Sequence, residues 1–376
     1  MPKSNLFFSK NLISWYLENR RILPWRRTKD PYSIWLSEII LQQTRVDQGL
    51  PYYNAFKLEY PSIEDLANAS EEEVLKLWQG LGYYSRARNL HITAKHISNN
   101  LGGVFPENFN DLLQLKGIGD YTASAIASIC FNEGTAVVDG NVYRVLARVF
   151  GIFTPINSSE GKKEFKELAQ RLIDTSQPGT HNQAVMEFGA RYCKPQNPDC
   201  SACIFNNTCV AHQNKMVSEV PVKLKKAVIK KMYFNYLVIL SEDKRTLLQQ
   251  RTTKGIWQQL YEFPLIETSK EIGINQIQKL PAYLKLSDKY SFKGVKLYNK
   301  KSIVHKLSHR HLITRFWIVE TSSLLSEATF ENKNKLESDL REISFSAIYK
   351  YPVPVLLENF ISLFFESKET VLIQKK

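Results

Sequence analysis

The chain has 376 residues, 43% hydrophobic and 23% charged, a balance that excludes global disorder and provides for two or three domains with full-sized cores. Fifty Lys and Arg against 37 Asp and Glu give a formal charge of +13, which points to a polyanionic partner, nucleic acid first. No secretory signal is visible, and the longest apolar run, near Tyr236–Leu240, is far too short for a membrane helix, so a cytoplasmic protein in a reducing compartment is expected.

In chain order, the first part, to about residue 210, reads mostly as helix. Apolar residues recur at helical spacing through Leu6–Leu17, Ile34–Val46, Val74–Leu77, Leu90–Ile97, Ala123–Ile129 and Val142–Phe150. Pro and Gly punctuate the loops between them, at Pro24, Pro31, Pro61, Gly80, Gly82, Gly102, Gly103 and Pro106. Glu38 stands among apolar neighbours on the second of these helices. A carboxyl there must be paired, protonated or turned to an exposed face. Gln42 follows one turn later on the same face, and Arg45 beyond it.

Leu115-Lys116-Gly117-Ile118-Gly119-Asp120-Tyr121-Thr122-Ala123 reads as a tight turn between two packed helices. Two glycines two apart let the backbone bend sharply and present N–H groups, with the next helix N-terminus, to a phosphate. Asp139 then follows the apolar run Ala136-Val137-Val138 at the start of a helix, where it fits an N-cap that favours an ionised carboxylate. Four of the five cysteines, Cys193, Cys200, Cys203 and Cys209, fall in a C-x6-C-x2-C-x5-C loop. In a reducing compartment such a cluster points to an inorganic centre, zinc or an iron–sulfur cluster. The fifth, Cys130, reads as a small buried hydrophobe on a helical face.

His212–Lys231 is rich in lysine and reads as an exposed basic linker. Beyond it come short runs rich in β-branched and aromatic residues, Tyr233–Leu240, Arg245–Gln250, Ile303–Leu307 and Leu312–Glu320, with helices near Glu271–Lys279 and Val353–Phe365. The fold expected is therefore multidomain, an all-α N-terminal part followed by a mixed α+β domain.

The glycine hairpin, the segment from Val138 to Arg148 and the cysteine loop together resemble the helix-hairpin-helix glycosylase superfamily that includes endonuclease III. Leu23-Pro24-Trp25, Trp35–Val46 and Gly80–Leu90 are similar, within it, to the adenine DNA glycosylase family. The resemblance implies a catalytic domain over 1–212, with a six-helix module at about 26–130, the helix-hairpin-helix at 112–131, and a cluster module from 1–25 and 131–212. It implies one [4Fe–4S] cluster on Cys193, Cys200, Cys203 and Cys209. Glu38 would be the acid, Asp139 the ionised partner, and Tyr121 and Asn141 would position them. Tyr121 stands where the bifunctional relatives carry a nucleophilic Lys, which implies base release without strand cleavage.

The same resemblance implies that Trp25, Arg26 and Gln183 line a base pocket, and that Gln42, Gln43, Tyr83 and Arg86 engage the opened duplex. Lys116, Gly117 and Gly119, with Arg144 and Arg148, would serve phosphates. Lys116 replaces the Pro usual in the family. After the linker at 213–231, residues 232–376 resemble a Nudix domain, carried by Phe234–Leu240, Thr246–Arg251 and Gly255–Pro264. The sequence after Pro264 lacks the R-E-x-x-E-E pattern a hydrolytic Nudix site needs for Mg²⁺. The domain then reads as a recogniser of 8-oxoguanine through His305, Ser308 and His309, in a loop where Leu307 replaces the family's Phe. The expected partner is double-stranded DNA with an 8-oxoguanine:A or G:A mispair, bound by a monomer near the nucleoid.

Overall fold

The computed structural model describes residues 3–224, 229–325 and 340–373, without the side chains of residues 3–6 and 366–373; residues 225–228 of the expected linker lie outside the described residues. The chain divides into two compact units, Met1–Ala69 with Arg88–Lys226, and Ser70–Ala87 with Ala227–Lys376. Among the described residues, no helix is long and apolar enough to cross a membrane.

The first unit is helical. Its helices are α1 (Lys3–Asn19), α2 (Pro31–Leu41), α3 (Val46–Glu59) and α4 (Ile63–Asn68); after α5 (Glu71–Leu77) of the second unit come α6 (Ser85–Asn100), α7 (Phe109–Leu112), α8 (Asp120–Cys130), α9 (Gly140–Phe150), α10 (Ser159–Leu172), α11 (Pro178–Arg191) and α12 (Val210–Gln213). Asp30 starts α2, accepting from Ser33 N at 2.9 Å, and Pro31 needs no N–H partner at that position. Every residue from Tyr32 to Ile40 is buried, so α2 is a central helix, packed on α3 and α8, and its Glu38 is carried into the interior.

The helical run expected over Ile34–Val46 is broken. α2 ends at Leu41, Gln43 takes a positive φ of 57°, and α3 starts at Val46. Gly49 explains how closely α3 folds back: a Cβ there would lie 2.8 Å from Leu41 Cδ2. α9 begins with its Asp139 cap and ends at Gly151 with φ 67°, and α11 packs against α1, α8 and α9.

The second unit holds β1 (Lys230–Leu240), β2 (Arg245–Gln250), β3 (Tyr261–Glu262), β4 (Leu265–Thr268), α13 (Ile274–Ile277), α14 (Pro281–Tyr290), β5 (Phe292–Leu297), β6 (Ile303–Lys306), β7 (Arg310–Thr321), β8 (Leu340–Ser344) and α15 (Val355–Ile373). A five-stranded sheet runs β4-β1-β7-β5 with β6 also on β7, and a three-stranded sheet runs β3-β2-β8. β1 and β7 are parallel and the other pairs antiparallel. The core gathers Leu237, Ile239, Trp317 and Val319 on one side, and Phe316 stacks on Phe360 of α15 at 3.9 Å on the other. The helix expected near Glu271–Lys279 shrinks to the four residues of α13.

Ser70–Ala87 belongs to this unit because its side chains bond into it. Tyr261 Oη donates to Glu72 at 2.9 Å, Val353 N to Gln79 at 3.2 Å, and Tyr84 Oη to Val353 O at 3.4 Å.

Candidate active site

A cavity of about 570 Å³ opens in the first unit. It is lined by Glu38 of α2, Tyr121 of α8, Asp139 and Asn141 at the start of α9, Gln183 of α11, and Trp25 and Arg26 of the 3-10 turn Pro24–Arg26. Glu38 is 8% exposed. Burial pushes its carboxyl up to about 7, a hydrogen bond with Tyr121 opposes this, the Asp139 charge adds to it, and Arg26 opposes it. Tyr121 is raised well above the ordinary phenol range by burial and by both carboxylates, so it stays neutral.

Tyr121 also donates to Sδ of Met186 at 3.1 Å. One phenol proton cannot serve two acceptors. Oη can therefore donate in only one of its two contacts, to Glu38 or to Met186, at a time.

Asp139 is held from three directions. Its Oδ1 accepts from Asn141 N at 2.9 Å and Val142 N at 2.8 Å, and its Oδ2 from Asn141 Nδ2 at 2.8 Å. Burial nevertheless raises its pKa, while these bonds and Arg144 pull it down. The cavity therefore pairs an acid that keeps its proton near neutrality with a carboxylate whose ionised form is fixed by three N–H donors.

Arg21 and Glu187 also line this cavity, and sequence reading missed both. Glu187 of α11 is 1% exposed and accepts from Arg21 Nη2 at 2.6 Å and Arg26 Nη2 at 2.8 Å. Tyr16 Oη donates to Gln183 Oε1 at 2.5 Å. The signal was present for Glu187: it follows Gln183 by one helical turn, so the two share a face. α11 shows no sustained apolar stripe in its sequence, which hid it.

Arg148 turns inward, away from the phosphate role expected of it, while Arg144 lines the cavity with its guanidinium engaged by neighbouring protein oxygens. Arg148 is 3% exposed and donates to the carbonyls of Val217, Lys194 and Pro195 at 2.7–3.1 Å, with Nη1 3.4 Å from Cys193 Sγ. Arg144 donates to the Cys193 carbonyl at 2.7 Å and to Asn141 Oδ1 at 2.9 Å. Backbone carbonyls in and after the cysteine loop take these donors, as buried carbonyls must find a partner.

Cys193, Cys200, Cys203 and Cys209 line one small cavity with Arg148, Phe188 and Phe205, and none is in a disulfide. Burial and the neighbouring thiols raise Cys200, Cys203 (to about 11) and Cys209. Four cysteine sulfurs gathered in one small, largely apolar cavity are a donor set that fits a cysteine-ligated inorganic group, whose positive charge would favour their ionised form. Among the described residues, no three His, Cys, Asp or Glu side chains converge on a single-ion position.

Residues 36–173 match the model of the HhH-GPD superfamily of base excision DNA repair proteins, and residues 235–363 match the NUDIX domain model. The adenine DNA glycosylase of Buchnera aphidicola subsp. Acyrthosiphon pisum is 32% identical over 355 residues, covering 94% of this chain and 97% of its own. The chain belongs to the adenine DNA glycosylase family. The Rattus norvegicus member is 47% identical over 215 residues, 55% of this chain and 42% of its own. A solved thermostable thymine-DNA glycosylase aligns with a TM-score of 0.53 and 31% identity, covering 56% of this chain and 98% of its own.

As a member of that family, the chain carries its remaining candidate residues outside the cavity. In the first unit, Gly117 has φ 79°, a Cβ there would meet Asn89 at 2.6 Å, and Gly119 is the N-cap of α8 with open space beside it. Lys116 is exposed and its carbonyl accepts from Thr93 at 2.7 Å. Gln42 caps the end of α2 and donates to Thr122 at 3.3 Å, with Gln43 in the left-handed turn after it.

In the second unit, Tyr83 is 48% exposed with φ 47°. Arg86 is buried, stacks on Trp78 at 4.9 Å and lies 5.9 Å from the Tyr83 ring centre, and donates to Gly82 O at 3.2 Å, so it braces the turn that presents Tyr83. His305 of β6 is half-buried against Trp257, and Ser308 and His309 are at the tip of the β6–β7 hairpin, 3.2 Å apart. After Pro264 the chain forms β4 and the short α13, and its Glu271 pairs with Arg315 at 2.8 Å.

Proposed function

We propose that the chain removes adenine standing opposite 8-oxoguanine or guanine in duplex DNA, by hydrolysing the N-glycosidic bond without cutting the strand. The observation that carries this reading is that Glu38 and Asp139, from separate helices, line one cavity with Tyr121. Adenine is a poor leaving group as an anion. Glu38, protonated up to about pH 7, gives its proton to N7, so the base departs neutral. The sugar develops oxocarbenium character, which ionised Asp139 stabilises or captures at C1′ before water completes hydrolysis. Asn141 keeps Asp139 aimed. A phenol at Tyr121 forms no Schiff base, so the sugar–phosphate backbone survives.

The base must first leave the stack, at a cost of about a few kcal/mol. Gln42, Gln43 and the exposed ring of Tyr83 fill the gap, while Lys116 and the N–H groups of the Gly117–Gly119 turn hold phosphate. Trp25, Arg26 and Gln183 receive the base. Cys193, Cys200, Cys203 and Cys209 hold a [4Fe–4S] cluster, which when bound ties their loop to one centre. The Nudix-like domain reads 8-oxoguanine through His305, Ser308 and His309 and, with no R-E-x-x-E-E pattern following Pro264, does not hydrolyse nucleotides. A monomer acting on DNA in the cytoplasm completes the reading.

The test is a duplex with one 8-oxoguanine:A pair, analysed before and after alkali. A strand break appearing only after alkali supports adenine release by a monofunctional enzyme. A break before alkali, with an adduct trapped by borohydride, supports the lyase alternative of the endonuclease III type. Binding without any break supports a non-catalytic DNA-binding protein. Phosphate contacts also predict binding that weakens steeply with salt.

A further inference from the structure

Glu187 touches neither Glu38 nor Asp139 in the hydrogen-bond network, yet it is buried at the back of their cavity. Its carboxylate takes the guanidinium of Arg21 through Nε at 2.8 Å and Nη2 at 2.6 Å, the Arg21 backbone N–H at 3.1 Å, and Arg26 Nη2 at 2.8 Å. Arg26 has two further holds that do not involve Glu187: its Nη1 donates to Arg21 O at 3.2 Å, and it stacks 5.4 Å from the Tyr16 ring centre. Neutralising Glu187 therefore leaves Arg26 in place with its charge uncompensated.

We propose, resting on the reading above, that Glu187 is a positioning residue of the reaction: paired with Arg26 at 2.8 Å on the cavity wall, it keeps that guanidinium electrically balanced beside Glu38, so that the acid keeps its proton for the extruded base. The groups facing Glu38 are Tyr121 and Cys130 of α8, Asp139 at the start of α9 and Arg26 of the 3-10 turn, and Arg26 is the one among them that Glu187 touches. Arg45, Asp47 and Arg144 also line the cavity, none of them paired with Glu187. Burial works against the Glu187 anion, but the bonds from Arg21 and Arg26 hold its carboxyl down at about 2, so its charge is constant across the working range.

The experiment is single-turnover adenine release by the full chain, followed as a function of pH. In Glu187→Gln the alkaline limb of the profile moves to lower pH, by about one unit, because an unbalanced Arg26 draws the proton from Glu38. Glu187→Asp, which restores the charge, brings the limb back toward the wild-type position. A uniform loss of rate with an unmoved limb overturns the proposal and leaves Glu187 a structural residue. If Glu187→Gln does not fold, Arg26→Gln carries the test: its limb moves to higher pH, and an unmoved limb overturns the proposal. A wild-type chain that releases no adenine, or a Glu38→Gln chain that still does, overturns the functional reading and this proposal with it. Wild-type release abolished in Glu38→Gln but with an unmoved Glu187→Gln limb overturns this proposal alone.

Discussion

Asn141 grips Asp139 twice, through its own backbone N–H to Oδ1 and its side-chain Nδ2 to Oδ2, at 2.9 and 2.8 Å. The second bond is charge-assisted and opposes the upward push of burial on the Asp139 carboxyl. In Asn141→Ala the side-chain bond is lost and the backbone bond kept. A bond of this kind is worth about 1.5–3 kcal/mol, so adenine release should fall roughly 10- to 100-fold. The sign on pH is also fixed: with one stabilising donor gone, Asp139 protonates more readily, and the acid limb of the profile climbs to higher pH. Single-turnover profiles of the two chains check both statements; an acid limb that stays put is the contrary result.

Glu38 sets a trade between chemistry and stability. Its folded carboxyl titrates at about 7 against 4.5 unfolded, so between these values the folded chain binds more protons than the unfolded one. Stability therefore falls as pH rises through that window and stays lower above it. Glu38→Gln should lose base release by about 10²- to 10⁴-fold. It should also be more stable than wild type above pH 7, by up to about 3 kcal/mol, with the advantage fading as pH approaches 4.5. Denaturation of both chains at acid and alkaline pH measures this, and a pH-independent difference would contradict it.

Arg148 is the internal brace of the cysteine loop. Its guanidinium satisfies carbonyls of Val217, Lys194 and Pro195 and lies against Cys193 Sγ. With the proposed cluster on the four cysteines, Arg148→Ala removes these donors at once and should weaken iron retention about 10- to 100-fold, read as iron per chain in competition with a chelator. Iron content equal to wild type under that competition contradicts the brace.

Ser308 and His309 share an exposed hairpin tip, held in register by the antiparallel β6–β7 pair. Ser308→Ala and His309→Ala should each reduce the preference for adenine opposite 8-oxoguanine over adenine opposite guanine, by roughly fivefold for one lost hydrogen bond. The ratio of the two release rates is the measurement, and a ratio equal to wild type removes the tip from lesion recognition.

Part of this arrangement was legible in the sequence because local chemistry and spacing carried it. The Val-Val-Asp-Gly-Asn run announces a capped helix, and the structure has Asp139 capping α9. The apolar setting of Glu38 announces a costly carboxyl, and α2 is buried around it. Other features depend on contacts far apart in sequence. Arg26 meets Glu187 across 161 residues, and Tyr16 meets Gln183 across 167, pairings that no local pattern encodes. The inward turn of Arg148 was missed for the same reason, since charge alone suggests solvent or phosphate. In the second unit, β3 has only two residues and β8 five, too short for alternation to show, and both are held by pairing with β2.

The grouping of Ser70–Ala87 with the C-terminal strands has a consequence for any nick in the lysine-rich stretch. The N-terminal fragment so produced keeps Glu72, Gln79 and Tyr84, which bond to Tyr261 and Val353 of the other fragment. Cleavage of the covalent tie leaves this clasp intact. Proteolysis at that stretch is thus a poor way to prepare the two halves apart, and genetic truncation there strips a clasp of its catch as well as removing a domain.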